Sequence, residues 1–122
     1  MDREQALHQF WSGFDVPAYD SSTTPDNAPF PRITYDVTVN EFGIPTSLYG
    51  SIWDKNTSWG RIIGIAHKID SRLSEGGCMV AYDGGVLWIK KGNPFQQRMG
   101  DPDDTIRRII INIEVEYLEG KK

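Results

Sequence analysis

Cysteine, long apolar runs and signal-like segments are scarce in this sequence. The 122 residues contain one cysteine, Cys78, so an intrachain disulfide is excluded. Cys78 lies in an apolar, strand-like run, where we expect a buried and unreactive thiol. No run approaches about eighteen apolar residues, and the N-terminus lacks the apolar segment of a signal peptide. These absences predict a soluble, cytoplasmic protein with no membrane partner.

Excess positive charge is also missing. The formal net charge is −4 and the sequence pI is about 5.1. Proteins that bind phosphate backbones need clustered Lys and Arg, so we expect no specific nucleic-acid binding. Arg98, Arg107 and Arg108 are the nearest approach to a basic patch. Acidic residues lie close to them in the sequence, and ion pairs across a subunit contact account for these arginines as well as phosphate binding does.

Patterns that would indicate catalysis or metal binding are absent too. There is no Gly-x-Ser-x-Gly elbow, and the glycine pairs lack the Lys-Ser/Thr ending of a phosphate loop. Asp101, Asp103 and Asp104 resemble the start of a calcium loop, but the central Gly and the closing Glu are missing. His8 and His67 lie on predicted helices without a second ligand at metal spacing. We therefore predict no catalytic residue, no metal site and no cofactor.

Two stretches have the apolar spacing of helices. Asp2 to Phe14 predicts an amphipathic helix with Asp2 as its N-cap, which Gly13 and Pro17 end. Ser58–Glu75 predicts a second helix that stops at the glycine pair 76–77. Two glycines inside this helix, at 60 and 64, each cost about 1 kcal/mol relative to Ala, and we expect them to allow close approach of the helix to a sheet.

Alternating apolar and polar residues predict five strands. They are Arg32–Asn40, Thr46–Trp53, Cys78–Tyr82, Val86–Lys90 and Thr105–Tyr117. The first two should form an antiparallel hairpin through the turn Glu41–Pro45, and the third and fourth a hairpin through Asp83-Gly84-Gly85. The stretches Val16–Pro31 and Gly92–Asp104 are predicted to be long loops.

The strand Thr105–Tyr117 has a mixed outer face. The odd-numbered residues from Ile109 to Tyr117 are all apolar, as on the face of a strand that covers a core. The even-numbered residues, on the opposite face, are mostly polar, but they include Ile106 and Ile110. At ~3.3 Å per residue the strand would span roughly 43 Å, far more than a usual strand, so we expect part of it to overhang. Apolar residues on an overhanging strand predict a contact with another subunit.

The order of the elements, α-β-β-α-β-β-β, predicts a single α+β domain over residues 1–122, with one antiparallel sheet and two helices packed on one face. Aromatic and Met side chains occur in the two long loops, at Tyr19, Phe30, Phe95 and Met99. They suit the centre of an interface, and they suit equally well a lid folded back on a small satellite core.

Four stretches in this order resemble a known family: ALHQFW, FPRITYDVTVNEFG, SIWDKNTSW and NPFQQRMGDPDDTIRRIIINIEVEY. They are similar to the tail terminator (tail completion, or minor tail) proteins of long-tailed bacteriophages and prophages, particularly those of Gram-positive hosts. The resemblance covers nearly the whole chain, and its motifs are moderately specific. It implies a non-enzymatic α+β subunit that forms a ring, commonly a hexamer. Such a ring caps the tail tube, stops its polymerisation and joins it to the head connector.

The partners implied by this resemblance are further copies of the chain, the tail tube protein and the head connector or stopper protein. DNA would pass through the ring without specific binding, and the protein would be found in the virion tail and, during assembly, in the host cytoplasm. The candidate subunit or tube interface residues are Phe95, Arg98, Met99, Ile106, Arg108 and Ile110. The alternatives are a head-tail joining or stopper neck protein, a small α+β ligand-binding domain or hydrolase, and a stand-alone regulator.

Overall fold

Two helices and six strands form the protein in the computed structural model, which describes residues 1–37 and 45–119. The helices are α1 (Arg3–Trp11), extended by a single 3₁₀ turn (Ser12–Phe14), and α2 (Gly60–Arg72). The strands are β1 (Ala18–Asp20), β2 (Arg32–Tyr35), β3 (Thr46–Lys55), β4 (Cys78–Tyr82), β5 (Gly85–Met99) and β6 (Ile106–Glu119). The predicted turn at 41–45 and the predicted strand residues 38–40 lie outside the described residues, apart from Pro45.

The first helix has the N-cap that the sequence predicts. Asp2 accepts a hydrogen bond from the Gln5 backbone N–H at 2.8 Å, and the Gln5 side chain accepts one from the Asp2 N–H at 2.9 Å. This reciprocal pair is a capping box, which satisfies two otherwise free donors at the helix start. The predicted apolar side chains are all buried: Ala6, Leu7, Phe10, Trp11 and Phe14.

The six strands form one sheet in the order β1-β2-β3-β6-β5-β4. The predicted α+β class, with both helices on one face of the sheet, is confirmed, and so are the two predicted hairpin pairings. The expectation of a purely antiparallel sheet is wrong, because β1 pairs parallel with β2. β1 is only three residues long and lies inside the predicted loop Val16–Pro31, so it is too short to show an alternation.

The overhang expected of the closing strand is also wrong. β6 lies in the middle of the sheet, paired with β3 over Ile106–Val115 and with β5 over Arg108–Glu119. Its length is therefore used for pairing on both sides. The predicted core parity is confirmed, since Ile109, Ile111, Ile113, Val115 and Tyr117 are all buried.

The fifth strand continues through most of the predicted loop Gly92–Asp104. Its pairing with β6 is interrupted by a bulge between Lys91 and Gln96 and resumes as far as Met99. Gly92 and Pro94, which suggested a loop, lie in this bulge, where extra residues are tolerated. The connection to β6 is therefore a short turn, Gly100–Thr105, which we call the acidic tip.

The glycines of the second helix do not have the predicted role. A Cβ added at Gly64 would meet nothing within 4 Å, and one at Gly60 would meet only the Ser58 hydroxyl at 3.4 Å. The close approach occurs instead at Gly50 of β3, where an added Cβ would lie 2.5 Å from the Trp11 ring. Trp11 is fully buried and stacks on Tyr35 with ring centroids 6.2 Å apart.

One hydrophobic cluster joins both helices to the inner face of the sheet. Cys78 is only half-buried at the margin of this cluster, in contrast to the full burial that we expected. Within the described part of the chain, neither helix is long and apolar enough to cross a membrane.

Candidate interaction surface

The face of the sheet opposite the helices carries a mixture of aromatic, aliphatic and basic side chains. In the register of β3 and β6, Trp53 lies opposite Arg108 and Ser51 lies opposite Ile110. Across the other side of β6, Met99 lies opposite Arg108 and Gln97 opposite Ile110. Directly paired residues project to the same side of a sheet, so these side chains form one continuous surface, which we call the open face.

A depression of about 770 Å³ lies on the open face beside the segment 21–26. Such a volume is within the range of about 300–1,000 Å³ typical of ligand pockets. The depression is open to solvent and has both polar and apolar walls. Its lining includes Asp26, Arg32, Thr34, Asp36, Tyr49, Ser51, Trp53, Gln97, Arg108 and Ile110.

Arg108 is held in place on the floor of this depression. Its Nε donates a hydrogen bond to Ser51 Oγ at 3.0 Å, and its guanidinium lies 4.4 Å from the centre of the Trp53 ring. Trp53 is fixed in turn, because its Nε1 donates to Thr34 Oγ1 at 2.9 Å. A guanidinium stacked on an indole keeps its outer N–H groups available to an acceptor.

Arg32 is held in a similar way at the other side. It donates from Nη1 to the Ala28 carbonyl at 2.7 Å and lies 4.2 Å from the centre of the Phe30 ring. Among the described residues, neither Arg32 nor Arg108 forms an ion pair with a carboxylate within 4 Å, although Asp26 and Asp36 line the same depression. Two positioned guanidiniums thus remain without an anionic partner.

The segment beside the depression is ordered by its own hydrogen bonds. Asp20 accepts from the Ser22 backbone N–H at 2.9 Å and from the Ser22 hydroxyl at 2.8 Å, and these bonds hold the pKa of Asp20 below its usual value. Asp36 accepts from the Ser21 hydroxyl at 3.0 Å. The wall of the depression is therefore built from local turns that begin where β1 ends.

The acidic tip is likewise ordered by its aspartates. Asp101 accepts from the backbone N–H of Asp103 at 2.9 Å, and Asp103 accepts from Thr105 N–H and Oγ1 at 2.9 and 2.6 Å. The two bonds from Thr105 hold the pKa of Asp103 below its usual value. Within the described ranges, the carboxylates of Asp101, Asp103 and Asp104 have no cationic group within 4 Å, whereas the Asp104 carbonyl accepts a hydrogen bond from Arg107 Nη1 at 2.6 Å. The tip therefore presents three carboxylates without a direct ion pair, although the charge of Lys55 also contributes to the lowered pKa of Asp103.

The six side chains predicted as interface residues do not form one patch. Met99, Arg108 and Ile110 lie together on the open face, and Ile106 follows the same alternation along β6. Arg98 faces the helix side, where its guanidinium lies 4.9 Å from the centre of the Trp59 ring. Phe95 lies in the β5 bulge and packs against the core. This position agrees with the alternative prediction, in which the loop aromatics fold back onto the protein.

Sequence reasoning missed Arg32, Tyr49 and Trp53 as parts of the surface. The alternation of β3 contained the necessary indication, since Tyr49 and Trp53 lie on the parity opposite the core residues Leu48 and Ile52. Aromatic side chains on an outer parity indicate a covered or binding face, as Ile110 does on β6. Tyr49 is 48% exposed.

The other titratable groups of residues 1–37 and 45–119 do not converge on a second site. His8 Nδ1 lies 2.7 Å from the Tyr35 hydroxyl, and burial, with the charges of Asp20 and Glu4, raises the pKa of Tyr35 to about 12. Asp54 is fully buried on the helix face and accepts two hydrogen bonds from Arg61, at 2.9 and 2.6 Å. In the described part of the chain, no three His, Cys, Asp or Glu side chains are grouped so as to hold a metal ion.

No known family model matches the chain, and no curated protein matches it. The fold does have a counterpart among solved structures. A chain from the virion of a native gene transfer agent (GTA) particle has the same fold with a TM-score of 0.60 and 14% sequence identity, over 97% of this chain and 95% of that chain. At this level of identity the likeness establishes the fold alone.

Proposed function

We propose that this protein is a structural component of a phage-like virion, and specifically a tail terminator that acts as a ring on the end of the tail tube. The observation that carries the proposal is the shared fold, over nearly the whole length of both chains, with a chain of the gene transfer agent virion. The family resemblance of the sequence leads independently to the same class of protein.

The open face supports a role in self-association. A closed ring is built from heterologous contacts, in which one patch of a subunit meets a different patch of the next. The depression combines aromatic, aliphatic and arginine side chains, which are the residue types enriched at the centres of interfaces. The subunit would act through shape and association, with further copies of itself, the tail tube protein and the head connector as partners.

Ile110 provides a direct test of this surface. It is half-buried and lies in the depression between Gln97 of β5 and Ser51 of β3. A carboxylate placed in a contact that excludes water is costly, so Ile110→Asp should weaken assembly while the monomer keeps its circular dichroism spectrum. Met79→Asp is the matched control, because Met79 is 61% exposed on the edge strand β4 and lies outside the depression.

The test of the function itself is light scattering on the peak eluted from size exclusion, with and without the co-expressed product of the gene encoded next to this one. A mass near six subunits, alone or with that partner, is the expected result. A strict monomer under both conditions would overturn the proposal. Binding to the portal-side adaptor in place of the tail tube protein would replace the terminator with a neck protein.

A further inference from the structure

The depression and the acidic tip are two complementary features of one chain. We infer that, in the proposed ring, the depression on the open face of one copy receives the acidic tip, Gly100–Thr105, of the neighbouring copy. Ion pairs would form between the tip aspartates and the guanidiniums of Arg32 and Arg108. This inference rests on the proposed ring and identifies the two surfaces that meet in it.

The receiving surface is preorganised for carboxylates. Both guanidiniums are stacked on aromatic rings and anchored through one hydrogen bond each, to Ala28 and to Ser51. An arginine that is already ordered loses little side-chain entropy when it binds, and its planar fork matches the two oxygens of a carboxylate. The depression is also large enough to admit a turn of several residues.

The inserted element is preorganised as well. Its three aspartates lie within four residues of one another, between the ends of β5 and β6, and two of them are fixed by hydrogen bonds within the turn. The side chain of Asp104 is exposed, and the carbonyl of Asp104, rather than its carboxylate, accepts the hydrogen bond from Arg107 Nη1, so the carboxylate can meet a partner. Two preorganised surfaces bind with a smaller entropy cost than mobile ones do.

Asp26 and Asp36 sharpen the inference, since they line the same depression. They would repel an incoming acidic tip, so the contact depends on the arginines and remains of moderate strength. Asp26→Asn should therefore strengthen assembly, whereas a substitution that removes the charge of Arg32 or Arg108 should weaken it. A general repulsion between copies of net charge −4 would give the same two signs, but it would also make Asp104→Lys strengthen assembly, whereas the contact predicts that Asp104→Lys weakens it.

Charge exchange tests the contact. Arg108→Glu and Asp104→Lys should each raise the protein concentration needed for half-assembly by about tenfold or more. The double variant, and a one-to-one mixture of the two single variants, should assemble again, because every contact is then either native or exchanged. Glu75→Lys is the matched control, since Glu75 is exposed and distant in sequence from both surfaces.

The outcomes separate this inference from the proposed function. If the wild-type protein forms no ring with or without the co-expressed gene product, the proposed function is refuted. If the wild type forms rings and the single reversals have no effect, or the exchange restores nothing, the inference is overturned while the ring stands. Should a reversal unfold the monomer, the neutral variants Arg108→Gln and Asp104→Asn replace it, and assembly unchanged in both would equally refute the contact.

Discussion

Replacing Gly50 by alanine tests the packing at the centre of the inner sheet face. The added Cβ would lie 2.5 Å from Cη2 of Trp11 and 2.8 Å from two further atoms of the ring. Ordinary carbon contacts are about 3.5–4.0 Å, so the indole has to move by about 1 Å. Such a shift cannot be local, because Trp11 stacks on Tyr35 and meets the edge of Phe10 at a centroid distance of 5.1 Å.

The expected cost follows from two opposing effects. Overpacking in a core costs typically about 1–3 kcal/mol, whereas Gly→Ala in a strand recovers about 0.5–1 kcal/mol of backbone entropy. Because Trp11 cannot shift alone, we expect an overpacking cost of about 2–3 kcal/mol, so that Gly50→Ala lowers the free energy of unfolding by about 1–2.5 kcal/mol. Trp11→Phe, which shortens the ring system, should relieve part of this cost in the double variant, as a positive coupling in a double-mutant cycle.

Urea unfolding followed by circular dichroism measures both variants. Gly64→Ala is the matched control: its Cβ would meet nothing within 4 Å in the middle of α2, so it should raise stability by up to about 1 kcal/mol. The same substitution, Gly→Ala, is then expected to lower the free energy of unfolding at position 50 and to raise it at position 64. If Gly50→Ala proved as stable as the wild type, the close packing of Trp11 on β3 would be wrong.

Two further predictions concern buried polar groups. Arg61→Ala should lower the urea midpoint, because the fully buried Asp54 loses the donor of its two hydrogen bonds. Adding Asp54→Asn should recover part of the lost stability. A double variant less stable than Arg61→Ala would contradict this prediction. The pKa of Tyr35 is raised to about 12 in the folded protein from 10.0, mainly by burial. The stability that depends on a neutral Tyr35 is therefore fully present below pH 10 and is lost as the pH rises to about 12. Over that interval the free energy of unfolding of the wild type should fall by up to about 2.7 kcal/mol more than that of Tyr35→Phe. Urea titrations at pH 9, 10 and 11 measure the difference, and parallel pH profiles for the two proteins would refute it.

Periodic stretches of the sequence were sufficient to predict most of the fold. The helix near the N-terminus, its Asp2 cap and the buried parity of β6 follow from local chemistry that neighbouring elements do not alter. β1 and the continuation of β5 were missed for a different reason. A three-residue strand and a strand resumed after a bulge exist only because β2 and β6 supply their hydrogen-bonding partners, and partners are not visible in a local window.

The candidate surface shows the same limit. Ile110 was identifiable because an apolar residue on a polar parity is a local anomaly. Arg32 and Arg108 come from strands far apart in the sequence, and only the strand order brings them to one depression. The roles of Gly60 and Gly64 were wrongly predicted. The sequence does not show whether a glycine in a helix faces the sheet or solvent, and both of these glycines face solvent.

The central position of β6 has a consequence for folding during synthesis. β1, β2 and β3 form one half of the sheet and β4 and β5 the other, and β6 is the strand that joins them. While the ribosome is still adding β6, the two halves have no shared hydrogen-bond ladder, and pairings so distant in sequence are slow to form. The depression takes side chains from both halves and from β6, so the docking surface proposed above would form only after β6 has been synthesised and paired. In the proposed ring, the central position of β6 would therefore delay association until β6 has paired on both sides.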